Sequence, residues 1–275
     1  LSGYAKASAC QSQHVQPMLT AAQRCAVEEF LRDFPKNEQL VLPERLSKQL
    51  LALAGFPVSV PVVAHTAMQA ADAAEAFGYP VALKVESYVI QHKTDVGGVR
   101  LGLQDRAAVK EAFLQMDSAM KRLDPSACVT VQPMAQSGFE VMLGAARLHD
   151  TPLMAAGMGG IYAEAFQDMA FRLAPLQEGQ AERMLQSLRC APVLNGFRTP
   201  PLDRAGVCQL LQRLSELMQA FAQIREVDLN PCRVYENGCA ILVLVFSIRK
   251  VAKCFLVVHL VDVAWIHEFH GIPVG

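Results

Sequence analysis

Residues 80–103 read PVALKVESYVIQHKTDVGGVRLGL, and no other part of the chain limits the possible folds so strongly. Residues 81–85 have the length and apolar character of a short buried strand. That strand carries Lys84 in its middle and runs into a loop holding His92, Lys93, Asp95 and the pair Gly97-Gly98, after which residues 99–103 resume as a strand. Paired glycines let a backbone approach a ligand closely and turn its N–H groups toward anionic oxygens. A loop that handles phosphate, with Lys84 and Lys93 adding positive charge, is the first reading. A plain β-hairpin with a Gly-Gly turn and a solvated lysine fits the loop alone equally well, because short glycine motifs match by chance. Lys84 tilts the balance: an ammonium inside an apolar strand is costly to bury unless an anion or a carboxylate meets it.

The surrounding sequence alternates helix and strand. Residues 1–42 are weakly patterned, with a possible helix over 21–32 that Pro35 would stop, and are read as a linker or docking arm. Over 43–54, Leu46, Leu50, Leu51 and Leu53 recur at helical spacing, with Pro43 at the start and Gly55 just past the end. Residues 58–64 alternate and contain proline, as an edge or irregular strand does. An alanine-rich helix over 67–77 ends at Gly78, and a long helix is expected over 105–123. Strands are expected at 128–133 and 139–146, and residues 152–156 lead into a second glycine cluster, Gly157, Gly159 and Gly160. Amphipathic helices over 177–188 and 203–221 precede two strands, 226–235 and 239–248, joined by an Asn237-Gly238 turn. This order predicts two α/β or α+β lobes with a cleft between them.

Charge and cysteine usage limit the function. With 25 basic against 26 acidic side chains there is no overall field to draw in nucleic acid or an anionic membrane. A small phosphorylated ligand bound locally suits the chain better. The eight cysteines are scattered with no C-x-x-C pair, which reads as reduced thiols in a cytoplasmic protein. The apolar stretches 239–248 and 255–266 are too short to span a bilayer, and the N-terminus has no secretory pattern. Residue 1 is leucine and no methionine precedes Met18, which suggests a piece of a longer chain or one subunit of a split enzyme. His267 and His270, three apart, could form a metal pair, but no further ligand cluster lies near them in sequence.

Five ordered blocks, LKVESYVIQHKTDVGGVRLGL, VQPMAQSGFEVMLGA, MAAGMGGIYAEAFQDMAFRLAPL, LNGFRTPPLD and IREVDLNPCRVYENG, resemble the ATP-grasp domain of the NDP-forming acyl-CoA synthetases. That family includes ADP-forming acetate:CoA ligase and is related to the succinyl-CoA synthetase β subunit. The resemblance covers about residues 43–242. It implies an α/β (α+β) ATP-grasp fold over 43–250, with lobes of about 43–130 and 131–250, nucleotide in the cleft between them, and an atypical tail over 251–275.

The site residues follow from the same resemblance. Lys84 would reach the phosphates of ATP or ADP, with Lys93, Gly97, Gly98 and Val99 in a loop over them, which excludes water and positions the transferring group. Gln132 and Met134 fall in the stretch matching the hinge that holds adenine, and Glu140 matches a carboxylate on the ribose hydroxyls; a solvent-facing glutamate on an alternating strand is the plainer alternative. His92 would accept a phosphoryl group and relay it to a phosphohistidine on a CoA-binding partner, since neutral imidazole is a nucleophile near pH 7. Glu164 and Asp168, four apart, would share one helix face near His92 or a metal, or simply be solvated. For Mg²⁺, Asn230 matches one ligand and Asp228 is an alternative, but the aspartate expected on the next strand is missing: residues 239–248 read CAILVLVFSI, with Leu242 or Val243 in its place. No G-x-G-x-x-G occurs, so CoA and the carboxylic acid would be handled by an α-type domain or subunit. Related alternatives are the same domain in a protein acetyltransferase assembly and a degenerate nucleotide-binding regulatory module.

Overall fold

The computed structural model describes residues 17–34, 40–87, 96–160, 166–242 and 244–248. In chain order the first half holds α1 (Ala21–Arg32), β1 (Leu40–Leu42), α2 (Glu44–Leu53), β2 (Val62–Ala64), α3 (Ala67–Phe77), β3 (Val81–Glu86), β4 (Val99–Leu103), α4 (Arg106–Met120) and β5 (Cys128–Pro133). The second half holds β6 (Phe139–Leu148), β7 (Thr151–Met158), β8 (Met169–Leu173), α5 (Gln180–Ser187), α6 (Ala191–Leu194), α7 (Arg204–Ala220), β9 (Ile224–Val234), β10 (Cys239–Ile241) and β11 (Leu244–Ile248).

These strands form two sheets. The smaller has the order β2-β5-β3-β4, and the larger runs β1-β11-β9-β6-β7-β8 with β10 paired to β9. Every strand pair within them is antiparallel. The architecture is therefore α+β: helix and strand alternate along the chain, yet no parallel crossover results among the described residues.

In the small lobe, Val81, Leu83 and Val85 of β3 are fully buried. Val81 and Leu83 pack with Val129 and Val131 of β5 against α3 and α4. Period-two alternation then sends Ala82, Lys84 and Glu86 to the opposite face. Alanines 70, 71 and 74 let α3 lie close on this sheet. Thr66 caps the helix by accepting from the Gln69 N–H at 3.1 Å, and Gly78 ends it at φ 82°. In the large lobe, α5 and α7 cover one face of the sheet, with Met184, Leu185, Leu211 and Leu214 in the core.

Two boundaries expected from the sequence are corrected. The described part of residues 1–42 is no linker or docking arm. Thr20 and Gln23 form a capping box that starts α1, and Leu19, Val27 and Leu31 are buried in the large-lobe core. Glu216 of α7 holds the approach to that helix, accepting from the Met18 and Leu19 N–H groups at 2.6 and 3.1 Å and pairing with Arg24. The lobe boundaries also move. Leu50 and Leu51 of α2 join the large-lobe core, while β5 continues to Pro133 in the small sheet, so the small lobe runs from β2 to β5.

Candidate nucleotide-binding cleft

The polar face of the small sheet looks across at the β9-β10 hairpin of the large one, and between them lies a cleft of about 920 Å³. This is large enough for a nucleotide. Ala82, Lys84 and Gln132 line it from the small lobe, Arg233, Tyr235 and Leu242 from the large lobe, and Glu44 and Lys48 from α2. Pro133, Met134 and Ala135, where the chain crosses from β5 toward β6, close one end.

Lys84 has the anionic partner that its buried setting demands. Its Nζ donates to Glu44 Oε1 at 2.8 Å. The same oxygen accepts from Lys48 Nζ at 2.9 Å, and Lys48 Nζ also donates to Gln132 Oε1 at 3.1 Å. Beside them, Arg45 Nε donates to Glu86 Oε1 at 3.0 Å. Three side chains from the first turns of α2 thus tie the large lobe to the polar face of the small sheet. Burial pushes the Glu44 carboxyl up, but Lys48 and Lys84 together more than reverse this, and the group lies below the usual glutamate range. Sequence reasoning missed Glu44 and Lys48. Their i,i+4 spacing on α2 was a visible signal, but such pairs are common on solvated helix faces.

Arg233 was also missed, and it organises the crossing between lobes. Its guanidinium pairs with Glu140 Oε1, directly across from it in the β6-β9 register, through Nε and Nη2 at 3.0 Å each. Its Nη1 donates to the carbonyls of Ala135 and Gln136 at 3.1 and 2.9 Å, and the Tyr235 hydroxyl donates to the Gln136 carbonyl at 3.1 Å. Met134 N–H is taken by the Pro80 carbonyl at 3.1 Å. Glu140, expected to meet the ribose, is thus ion-paired to Arg233, which lines the cleft.

At the same end of β6, the Gly160 N–H donates to Asn230 Oδ1 at 3.1 Å. A side chain at Gly160 would be strained at φ 68°, and its Cβ would displace the Glu140 carboxylate. Asn230 and Pro231 occupy a β-bulge in β9, where these two residues oppose the single residue Met142 of β6. The Leu242 N–H donates to the Pro231 carbonyl at 3.1 Å, so Leu242, one of the two residues standing where the resemblance expects an aspartate, is tied to the residue after Asn230 and lines the cleft; the other, Val243, lies outside the described residues. Asp228 lies two residues before Asn230 on β9.

Asp168, expected to act near His92 or a metal, has both carboxylate oxygens engaged by backbone. It is buried, and its two carboxylate oxygens accept the Arg189 and Cys190 N–H groups at 2.8 Å each, holding the turn before α6. Of the glycine loop, Gly97 turns at φ 70°, Gly98 accepts from the Val85 N–H at 2.8 Å, and Val99 pairs with Lys84 and lines the cleft. His92, Lys93 and Glu164 lie outside the described residues, as do His267, His270 and the tail over 251–275. Among the described residues there is no group of three His, Cys, Asp or Glu side chains able to hold a metal ion. What is present, the neutral Asn230 oxygen with Asp228 nearby on the strand, does not make a resident metal site; it suits an ion brought in on a nucleotide's own phosphate oxygens. No helix among the described residues is long and apolar enough to cross a membrane.

Comparison with known proteins agrees with this geometry. Residues 33–248 match the family model described as an ATP-grasp domain. The chain is 35% identical over 215 residues to 4-hydroxybutyrate–CoA ligase (ADP-forming) of Nitrosopumilus maritimus, covering 75% of this chain and 31% of that protein. It thus spans about a third of the length of that relative. It is 32% identical over 208 residues to the β subunit of acetate–CoA ligase (ADP-forming) I of Pyrococcus furiosus, covering 74% of this chain and 89% of that subunit. A solved structure of the dinucleotide-forming acetyl-coenzyme A synthetase 1 of Ca. Korarchaeum cryptofilum superposes with a TM-score of 0.69 at 28% identity, over 82% of this chain and all of the other. That structure holds coenzyme A and Mg-AMPPCP, with a phosphohistidine segment pointing toward the nucleotide-binding site. The chain belongs to the ATP-grasp family, in the group formed by the β subunits and nucleotide-binding domains of ADP-forming acyl-CoA ligases.

Proposed function

We propose that the chain is the nucleotide-binding component of an ADP-forming acyl-CoA synthetase, which converts a carboxylic acid, CoA and ATP into acyl-CoA, ADP and phosphate. The observation that carries this reading is Lys84, an ammonium projecting from an apolar strand into a nucleotide-sized cleft of an ATP-grasp fold. The near full-length match to a separate β subunit supports a split arrangement, with CoA and the acid bound on an α-type partner.

In this scheme the hinge residues Gln132 and Met134 and the carboxylate of Glu140 hold the nucleoside. Lys84, with Lys93, meets its phosphates, and Gly97, Gly98 and Val99 continue the cover over them. Asn230, with Asp228 as a second candidate, would hold Mg²⁺ carried by the nucleotide, and the ion would offset phosphate charge. His92 attacks the γ-phosphorus, the bond to the β-γ bridging oxygen breaks, and ADP leaves with that oxygen. The phosphoryl group then passes to a histidine of the partner. A cytoplasmic location belongs to this reading, supported by the six described cysteines, none of which is in a disulfide.

The test is reconstitution with an α-type CoA-binding subunit. The His92→Ala variant should keep nucleotide affinity within about threefold and lose phosphoryl exchange by about a thousandfold or more, since it removes a nucleophile and no binding charge. Unchanged exchange would make His92 a bystander. A second reading, a regulatory module that binds nucleotide without turnover, is favoured by the missing aspartate, in whose place Leu242 or Val243 stands. It predicts nucleotide binding with no exchange in the unaltered chain.

A further inference from the structure

The ion cluster at the base of α2 has a property that the scheme above does not use. Glu44 places a carboxylate oxygen 2.8 Å from the ammonium that is proposed to receive phosphate, inside the same cleft. Both side chains are largely enclosed, Lys84 at 15% and Glu44 at 17% exposure, so solvent screens their interaction only in part. Lys48, at 3% exposure, donates to the same Glu44 oxygen and to Gln132, and thereby anchors the carboxylate on the α2 side. Glu44 stays ionised at neutral pH because these two ammoniums outweigh the effect of burial.

We propose that Glu44 is an internal counter-anion that competes with the nucleotide's phosphates for Lys84, so that nucleotide binding shifts the lysine from α2 to the ligand and lowers affinity by the strength of the contact given up. This rests on the reading of Lys84 as a phosphate ligand. The exchange needs no new group: the ammonium keeps its charge, one N–H···O contact replaces another, and Glu44 remains neutralised by Lys48. It also couples occupancy to the junction between lobes, because Glu44 belongs to a helix packed in the large-lobe core and Lys84 to the small sheet. A site built this way binds nucleotide less tightly than its cationic lining would permit, which favours release of the product nucleotide.

The test is calorimetric titration of the chain with ADP and, separately, with uncharged adenosine. Glu44→Gln keeps the side-chain shape and removes the charge, so ADP should bind about tenfold more tightly while adenosine changes less than about twofold. The gain should disappear when Lys84→Met is also present. Arg45→Gln removes a neighbouring ion pair between the same helix and strand, and should lower the melting temperature without moving ADP affinity. If Glu44→Gln fails to fold, Glu44→Asp, which withdraws the charge by one methylene, should give a smaller gain of about threefold that Lys84→Met again abolishes.

Unchanged or weaker ADP binding in Glu44→Gln would overturn the proposal and leave Glu44 as a structural clamp. Equal gains for ADP and adenosine, or a gain that survives Lys84→Met, would overturn it too. Failure of the underlying reading looks different: Lys84→Met alone would then leave ADP affinity unchanged.

Discussion

Lys84 and Glu44 are 40 positions apart in sequence and 2.8 Å apart in space. Lys84 could be singled out from the chain because a charge inside a buried strand needs an explanation wherever it occurs. Glu44 could not, because an acidic residue in the first turn of a helix is ordinary and even favourable there. The pair makes a prediction in acid. The Glu44 carboxyl lies below its ordinary value in the folded chain, so its contribution to stability is complete above the unfolded value of about 4.3. It is lost as pH falls through the lower folded value. Melting temperatures followed downward from pH 6 should drop through and below that range, and Glu44→Gln should flatten part of the drop. A parallel curve in the variant would show that Glu44 is not held ionised by its partners.

A second prediction at this scale concerns Leu242, whose N–H donates to the Pro231 carbonyl and which is, with Val243, one of the two positions where an acid would be expected to complete a divalent-ion site. Leu242→Asp should tighten the Mg²⁺ complex of ADP by about tenfold relative to the unaltered chain, since a hard dication gains most from an anionic oxygen. Titration of Mg²⁺ against ADP in both proteins measures it. No gain, together with tight binding by the unaltered chain, would assign the metal to another acid such as Asp228.

Among the elements, those with a clean period were legible and those with a mixed face were not. β3 shows its two faces in sequence because Val81, Leu83 and Val85 alternate with Ala82 and Lys84. The described stretch of β9 likewise reads as a strand with an irregularity at Asn230-Pro231. The α1 helix shows why residues 1–42 could pass for an arm: only Val27 and Leu31 of its twelve residues are buried, and charged residues surround them. Its anchor, Glu216, lies almost two hundred positions away, so nothing local announces it. If α1 is part of the domain, Leu31→Ala should cost about 2–4 kcal/mol in a denaturant melt, as expected for a buried leucine in a packed core. A loss below about 0.5 kcal/mol would restore the reading of a loosely attached arm.

At the scale of the whole molecule, two antiparallel sheets meet across a polar cleft, and each lobe has its own apolar core. The pattern of helix, strand and glycine loop was enough to anticipate two lobes. It could not place the division at β2 and β5, because α2 has the same amphipathic period whichever core it joins. The interlobe contacts on the cleft side are ionic and hydrogen-bonded, Glu44–Lys84, Arg45–Glu86 and Lys48–Gln132, and such contacts can exchange partners where an apolar seam could not. That is the arrangement expected of a cleft whose lobes respond to a charged ligand.

The central claim, that Lys84 meets nucleotide phosphate in this cleft, is tested most directly by calorimetric titration of the unaltered chain and of Lys84→Ala with ATP in the presence of Mg²⁺. The account predicts one site in the unaltered chain and an affinity loss of about ten- to a hundredfold in the variant, the range expected when a hydrogen bond to a charged group is removed. The melting temperatures should differ by no more than a few degrees, since Glu44 keeps Lys48 as its partner. Equal affinity in the two proteins, or no binding by the unaltered chain, would contradict it.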